Sequence, residues 1–193
     1  MNDIITAAMA EEVVKNFSGR RILIVGDMVA DIYLTGNISR ISREAPVLVL
    51  EQADEKIVAG GAANVANNVA TLGAAAYMIG ITGDDRHGEK LKGILSDGGV
   101  NTEGIINDKE RPTITKTRII AGGRATVSQQ IVRIDNEAKT SLSSKIETKL
   151  INLVKQILPR MEAVVLSDYG SGTITPALRD YILTYCRASL RRG

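Results

Sequence analysis

The chain has 193 residues, 44% hydrophobic and 24% charged, with 18 glycines; this is the composition of one globular domain and excludes disorder and fibrous repeats. Its 24 Lys and Arg stand against 22 Asp and Glu, and setting aside the tail arginines Arg187, Arg191 and Arg192 leaves 21 basic groups against 22 acidic. A body this close to neutrality has no general attraction for nucleic acid.

In chain order, Ile4, Ile5, Met9, Val13, Val14 and Phe17 recur at three- and four-residue intervals and predict a helix closed by Ser18-Gly19. Ile22 to Val25 is a continuous β-branched run stopped by Gly26-Asp27, as in a parallel strand buried on both faces. Val47 to Leu50 predicts another strand. Ala62 to Leu72 predicts an Ala-rich helix led by Gly60-Gly61 and ended by Gly73. Ala76 to Ile81 returns to strand, and Glu89 to Ser96 to helix with Gly98-Gly99 behind it. Ile114 to Ile120 and Val127 to Ile134, separated by Gly122-Gly123, predict an antiparallel ribbon over about 113–135 with one wetter face, projecting from the main sheet. Ser144 and Glu147 have capping-box spacing for a helix to about Leu158, with Pro159 beyond. Ala163 to Ser167 follows as a strand, and Thr175 with Pro176 opens a last helix toward Cys186.

The single His87 and single Cys186 exclude a His/Cys zinc cluster and any disulfide within the chain, and fit a reducing, cytoplasmic setting. Five Tyr, one Phe and no Trp leave too few ring faces for a platform that stacks single-stranded nucleic acid. The longest apolar run, Ala74 to Ile81, falls far short of the roughly 20 residues that span a bilayer. Asp3, Glu11 and Glu12 stand where a signal peptide is basic. No membrane partner is expected.

Alternating strands and helices imply an α/β layered domain whose ligands bind beyond the carboxyl ends of its strands. Those ends carry Asp27 and Asp31, Gly83-Asp84-Asp85, and Asp168-Tyr169-Gly170. Gly60-Gly61 before a helix is either a tight entry loop or a place where backbone approaches a polar ligand, and Asn64 in the first turn offers donor and acceptor to a sugar hydroxyl. Asp27 and Asp31 are either Asx-turn residues or acceptors for paired hydroxyls, the second acid favouring the latter. Gly83 to Gly88 reads as a turn first, with His87 a loop residue. Neither a Walker A pattern nor Gly-x-Gly-x-x-Gly follows any predicted strand, which removes the main support for P-loop and dinucleotide readings.

Ala59 to Ala66, with Gly73 and Gly83 following, resembles the first signature of the PfkB/ribokinase family of carbohydrate kinases. Gly26 to Tyr33, Ser39 to Val47, Thr115 to Arg118, Arg133 to Asp135 and Leu166 to Tyr169 are similar, within that family, to the heptose-7-phosphate kinases of ADP-heptose synthesis, whose work belongs to the lipopolysaccharide core. The resemblance spans nearly all of 20–185. It implies a three-layer α/β/α ribokinase-like domain with a small β lid, transfer of the γ-phosphoryl of ATP with Mg²⁺ to the anomeric hydroxyl of a heptose 7-phosphate, and pairing of two copies through the lid.

It further implies Asp31, Gly60, Gly61 and Asn64 at the sugar, with Asp27, Arg118 and Asp168 lining the substrate region. Arg40 is the candidate for the substrate phosphate, the alternative for Arg40 and Arg43 being a solvated basic loop. Two positions depart from the pattern: Arg43 replaces a proline and Ser171 a lysine. The family's Asn-x-x-Glu segment, catalytic Gly-Ala-Gly-Asp motif and adenine-binding residues fall beyond Gly193. The whole chain is therefore expected to be one C-terminally incomplete domain, with an open sheet edge, an uncovered apolar face and no kinase turnover of its own. A non-catalytic sugar-binding or interaction fragment, and an unrelated α/β nucleotide-binding protein, are the competing classes.

Overall fold

The computed structural model describes residues 6–122, 127–138 and 140–190. Ile4, Ile5, Gly123, Arg191, Arg192 and Gly193 of the sequence reading lie outside them. The elements are α1 (Ala7–Lys15), β1 (Arg21–Gly26), β2 (Met28–Ile41), β3 (Leu48–Gly61), α2 (Ala62–Thr71), β4 (Ala75–Gly83), α3 (Arg86–Asp97) and β5 (Asn101–Asp108). They continue with β6 (Ile114–Gly122), β7 (Gln129–Asn136), α4 (Ser144–Ile157), a 3₁₀ turn (Leu158–Arg160), β8 (Ala163–Ser167) and α5 (Pro176–Leu190). No described helix is long and apolar enough to cross a membrane.

Two four-stranded sheets result. The main sheet, ordered β5-β4-β1-β8, is parallel throughout. Its central strand β1 shows why a continuous apolar run was needed: Ile22 and Ile24 enter one core with α2 and α3, while Leu23 and Val25 enter the other with α4 and α5. Leu23, Ile24 and Val25 are each 0% exposed. Ala62, Ala63 and Ala66 let α2 approach the sheet closely, and Leu91 and Leu95 of α3 fill the space beside it. The opposite layer is built from Ile146, Leu150 and Val154 of α4 with Leu178 and Ile182 of α5.

The second sheet, β3-β2-β6-β7, mixes a long antiparallel hairpin (β2 with β3), a parallel pair (β2 with β6) and a second antiparallel pair (β6 with β7). The predicted ribbon is its β6–β7 half. Register and the period of two give this sheet unlike faces. Asp31, Lys116 and Asp135 form one cross-strand row, with Tyr33, Arg118 and Arg133 beside it. The other face carries Ile32, Thr117 and Ile134, then Leu34, Ile119 and Val132. That face is buried at Ile32 and opens outward, leaving Val132 45% and Ile134 54% exposed.

Three local expectations change. Asp31 lies inside a strand, not at a turn, because β1 passes into β2 with only Asp27 between. Gly60-Gly61 ends β3 instead of forming an entry loop. Ser143, one residue earlier than expected, caps α4 by accepting the Ile146 N–H at 3.4 Å. Thr175 caps α5 as expected, accepting from Leu178 N–H at 3.2 Å with Pro176 in the first helical position. Among the described residues β8 pairs only with β1, and Val164 to Ser167 stay half-buried at that edge. Met9, Val13 and Val14 of α1 are exposed.

Candidate functional site

The candidate site lies where the second sheet springs from the carboxyl end of the main one. Asp27 is the joint, and every polar group it has is engaged. Its N–H donates to Ser167 C=O at 3.0 Å, and its C=O accepts the first amide of α2, Ala62, at 2.8 Å. Its carboxylate, 0% exposed, accepts backbone N–H groups from Tyr169 at 2.8 Å, Ser171 at 3.0 Å and Thr173 at 3.0 Å. Alternate amides of a Gly-rich loop thus form a nest around a carboxylate, with Gly170 and Gly172 at φ of +79° and +90° supplying the left-handed turns. Of the two readings of Asp27, turn residue or hydroxyl acceptor, these bonds favour a structural one. Both oxygens are taken by loop amides, and the carboxylate holds the β8–α5 loop in place.

Asp31, four residues on, keeps an accessible carboxylate. Arg118 of the adjacent strand β6 reaches diagonally to it, Nη1 to Oδ1 at 2.5 Å, with side chains 23% and 19% exposed, and the guanidinium lies 5.3 Å from the Tyr33 ring centroid. The hydrogen bond to Asp31 raises the Arg118 pKa above the ordinary guanidinium value. Gly60 explains itself here: a Cβ would overlap the second oxygen of Asp31. At Gly61 a Cβ would lie 2.5 Å from the Asp27 carbonyl, and φ is +54° with ψ −134°, backbone that only glycine adopts readily. Asn64 is exposed in the first turn of α2. Asp31, Gly60, Gly61, Asn64 and Arg118 are therefore brought together.

Two other candidates are not. Arg40 sits exposed near the tip of the β2–β3 hairpin, nine strand residues from Asp31, which is about 30 Å at strand rise. There it lines a surface pocket with Ser42, Arg43, Glu44 and Val49, so within one chain the solvated-loop alternative fits it better. Asp168 is exposed at the end of β8 and accepts the Gly170 N–H at 2.9 Å, an Asx turn.

Two more groups stand at the same end of the main sheet, Asp85, named in the sequence without its partners, and Arg111, which was missed. Asp85 caps α3 by accepting Gly88 N–H at 2.9 Å, and also takes the Thr113 N–H and hydroxyl at 2.8 Å each. Burial works against its charge, but these bonds outweigh it and hold its pKa below the ordinary 3.8. The aspartate before a helix was a visible capping signal; the bond to a residue 28 positions away was not. Arg111, 8% exposed, donates from Nη2 to the Ser171 carbonyl at 2.8 Å, placing a cation against the position where a lysine was expected. Nothing local in the sequence separates it from the surface arginines. Among the described residues no group of three or more His, Cys, Asp or Glu is placed to hold a metal ion.

Comparison with known proteins accords with this geometry. The pattern of the pfkB family carbohydrate kinases matches residues 20–173. The bifunctional protein HldE of Desulfatibacillum aliphaticivorans is 40% identical over 173 residues, which cover 90% of this chain and 34% of that protein. HldE of Helicobacter pylori strain J99 is 41% identical over 165 residues, covering 86% of this chain and 35% of that protein. The chain thus spans about a third of the length of these curated relatives. Among solved structures, phosphofructokinase-2 from Escherichia coli in complex with fructose-6-phosphate superposes with TM-score 0.59 at 19% identity, covering 88% of this chain and 52% of that one. A carbohydrate kinase from Agrobacterium tumefaciens gives 0.57 at 18% identity, covering 76% and 45%. These structures share its mixed α/β fold, and with the family match over most of its length, the chain belongs to the pfkB family of carbohydrate kinases.

Proposed function

We propose that this chain is the sugar-holding part of an ATP-dependent sugar-phosphate kinase that phosphorylates the anomeric hydroxyl of D-glycero-D-manno-heptose 7-phosphate, in ADP-heptose synthesis. The observation that carries the reading is the Asp31–Arg118 pair laid over Gly60 at the base of the second sheet. A carboxylate fixed by a planar guanidinium keeps its second oxygen free of torsional choice, so it accepts sugar hydroxyls without a further ordering cost. Gly60 and Gly61 let the sugar approach backbone, and Asn64 supplies both a donor and an acceptor. The likeness to HldE supports the heptose 7-phosphate.

ATP with Mg²⁺ is the second substrate of this reading and supplies the phosphoryl group. Magnesium in such reactions is held through one or two carboxylates plus phosphate oxygens, and with no cluster of metal-ligating side chains assembled among the described residues, no step is assigned to it here. The catalytic Gly-Ala-Gly-Asp motif of the family does not occur in the 193 residues, so no catalytic base is assigned either. The second sheet acts as the lid over the sugar, and its outward apolar face, with Val132 and Ile134, pairs with that of a second copy. A cytoplasmic location follows from the substrates.

Calorimetry of the purified chain with heptose 7-phosphate tests the reading. Binding should be measurable, and Asp31→Ala should weaken it at least about tenfold through loss of a charged hydrogen-bond acceptor. Equal affinity in the variant, or no binding to the unaltered chain, overturns it. With ATP and Mg²⁺ added, turnover should be absent; turnover in the usual range of roughly 1–10³ s⁻¹ would overturn the restriction to sugar holding.

A further inference from the structure

Arg111 is a charge in an unusual position. It lies between β5 and β6, at the carboxyl end of the main sheet, and is 8% exposed. Its backbone carbonyl packs against Gly83 at the end of β4, where a Cβ would stand 2.7 Å away. Burying a guanidinium costs several kcal/mol unless an opposite charge repays it, and here none does. No carboxylate among the described residues lies within the 4.0 Å of an ion pair.

The acidic groups around it are otherwise occupied. Asp108, buried at the end of β5, accepts the Glu110 N–H at 3.0 Å. Asp85 gives both oxygens to Gly88 and Thr113. Asp27 gives both to the 169–173 loop. Among the described residues the one side-chain bond that Arg111 makes is to a neutral acceptor, the Ser171 carbonyl of that same loop. Among the described residues no buried side-chain nitrogen lacks a partner, so its other guanidinium nitrogens, which find no protein acceptor, remain open to solvent.

We propose that Arg111 is an anion-binding residue that takes the phosphate of a phosphorylated small molecule at the carboxyl end of the main sheet. The guanidinium is oriented in advance by Ser171, its open edge presents a forked donor set matched to phosphate oxygens, and its recess weakens solvent screening of the attraction. Asp27 contributes indirectly as a positioning residue, since it fixes the loop whose carbonyl orients Arg111. The inference rests on the sugar-phosphate reading for the identity of the ligand alone. The phosphate belongs either to the sugar phosphate or to the nucleotide, and both present the same oxygens.

The test uses the full ¹⁵N-labelled chain, with the Nε–Hε signal of Arg111 assigned through its own backbone. Inorganic phosphate, heptose 7-phosphate, the unphosphorylated heptose and ATP are titrated in turn, with affinities from calorimetry. The Arg111 signal should move saturably with phosphate-bearing probes and stay still with the unphosphorylated sugar. Arg111→Gln should weaken phosphate-bearing probes at least about tenfold, with Arg111→Lys intermediate because it keeps charge but loses the fork. Movement with heptose 7-phosphate alone assigns the site to the sugar phosphate, and movement with ATP alone to the nucleotide; either supports it. A signal unmoved by every phosphate-bearing probe overturns the inference even if both variants fail to fold, and so does unchanged affinity in folded Arg111→Gln. Movement with inorganic phosphate while heptose 7-phosphate and ATP do not bind leaves the anion site standing and removes the heptose 7-phosphate reading of the proposed function.

Discussion

The two sheets use opposite solutions to the same problem of covering backbone. In the main sheet both faces are roofed by helices, and β1 is apolar at every interior position. In the second sheet one face carries the charged rows of Asp31 and Arg118, and the other is apolar but covered only near β2. The difference separates tasks: the roofed sheet supplies stability, while the half-covered one leaves charge exposed on one face and hydrocarbon on the other, as the proposed function requires.

Substitutions can break or sharpen that division. The largest effect is expected in the roofed sheet, where Leu23→Ala removes a side chain with no exposed surface and should cost about 2–5 kcal/mol in urea unfolding. A smaller one is expected at the seam, where Asp85→Ala loses a helix cap and the bonds to Thr113, about 2 kcal/mol at neutral pH. Because the folded pKa of Asp85 lies below 3.8, its contribution is full above that value and is lost as pH falls through the folded one. The gap between the unaltered chain and Asp85→Ala should therefore narrow in acid below about pH 4; a gap that widened there would contradict the assignment. The smallest effect on folding is expected in the half-covered sheet, where Ile134→Lys should stay within about 0.5 kcal/mol. Sedimentation should nevertheless show pairs of the unaltered chain becoming single chains in that variant. A loss of stability as large as that of Leu23→Ala would erase the contrast.

The same contrast explains what was legible in advance. Strand β1 was readable because burial on both faces demands an unbroken apolar run, and the helix behind Gly60-Gly61 because its alanines and Gly73 mark a packed, terminated helix. Strand β3 was readable only at its start, where Val47 to Leu50 predicted a strand, and β2 not at all, since Gly36-Asn37 and the polar stretch from Glu51 to Lys56 carry turn and surface composition inside 14-residue strands, a composition that a solvent-facing sheet tolerates. β5 was missed because a short edge strand needs only Ile105 and Ile106 to face the cores. In the site, Asp31 and Gly60 were singled out from their local pattern and Arg118 from family likeness, but their pairing is a cross-strand fact absent from any local window. The role of Asp27 could not be read because its three donors lie more than 140 residues away.

The direct passage of β1 into β2 at Asp27 and of β3 into α2 at Gly61 has a mechanical consequence. The two crossings are tied to each other by the Ala62 N–H to Asp27 carbonyl bond, so they act as one pin and not as two independent straps. A rigid rotation of the second sheet about that pin would displace each residue in proportion to its distance from it. Asp31 stands four residues from the pin, and Arg118, bonded to it from the neighbouring strand, would move with it while the outer strand swept the wider arc. A ligand held by Asp31 and Arg118 would therefore keep both partners through such a rotation, because they turn as one unit.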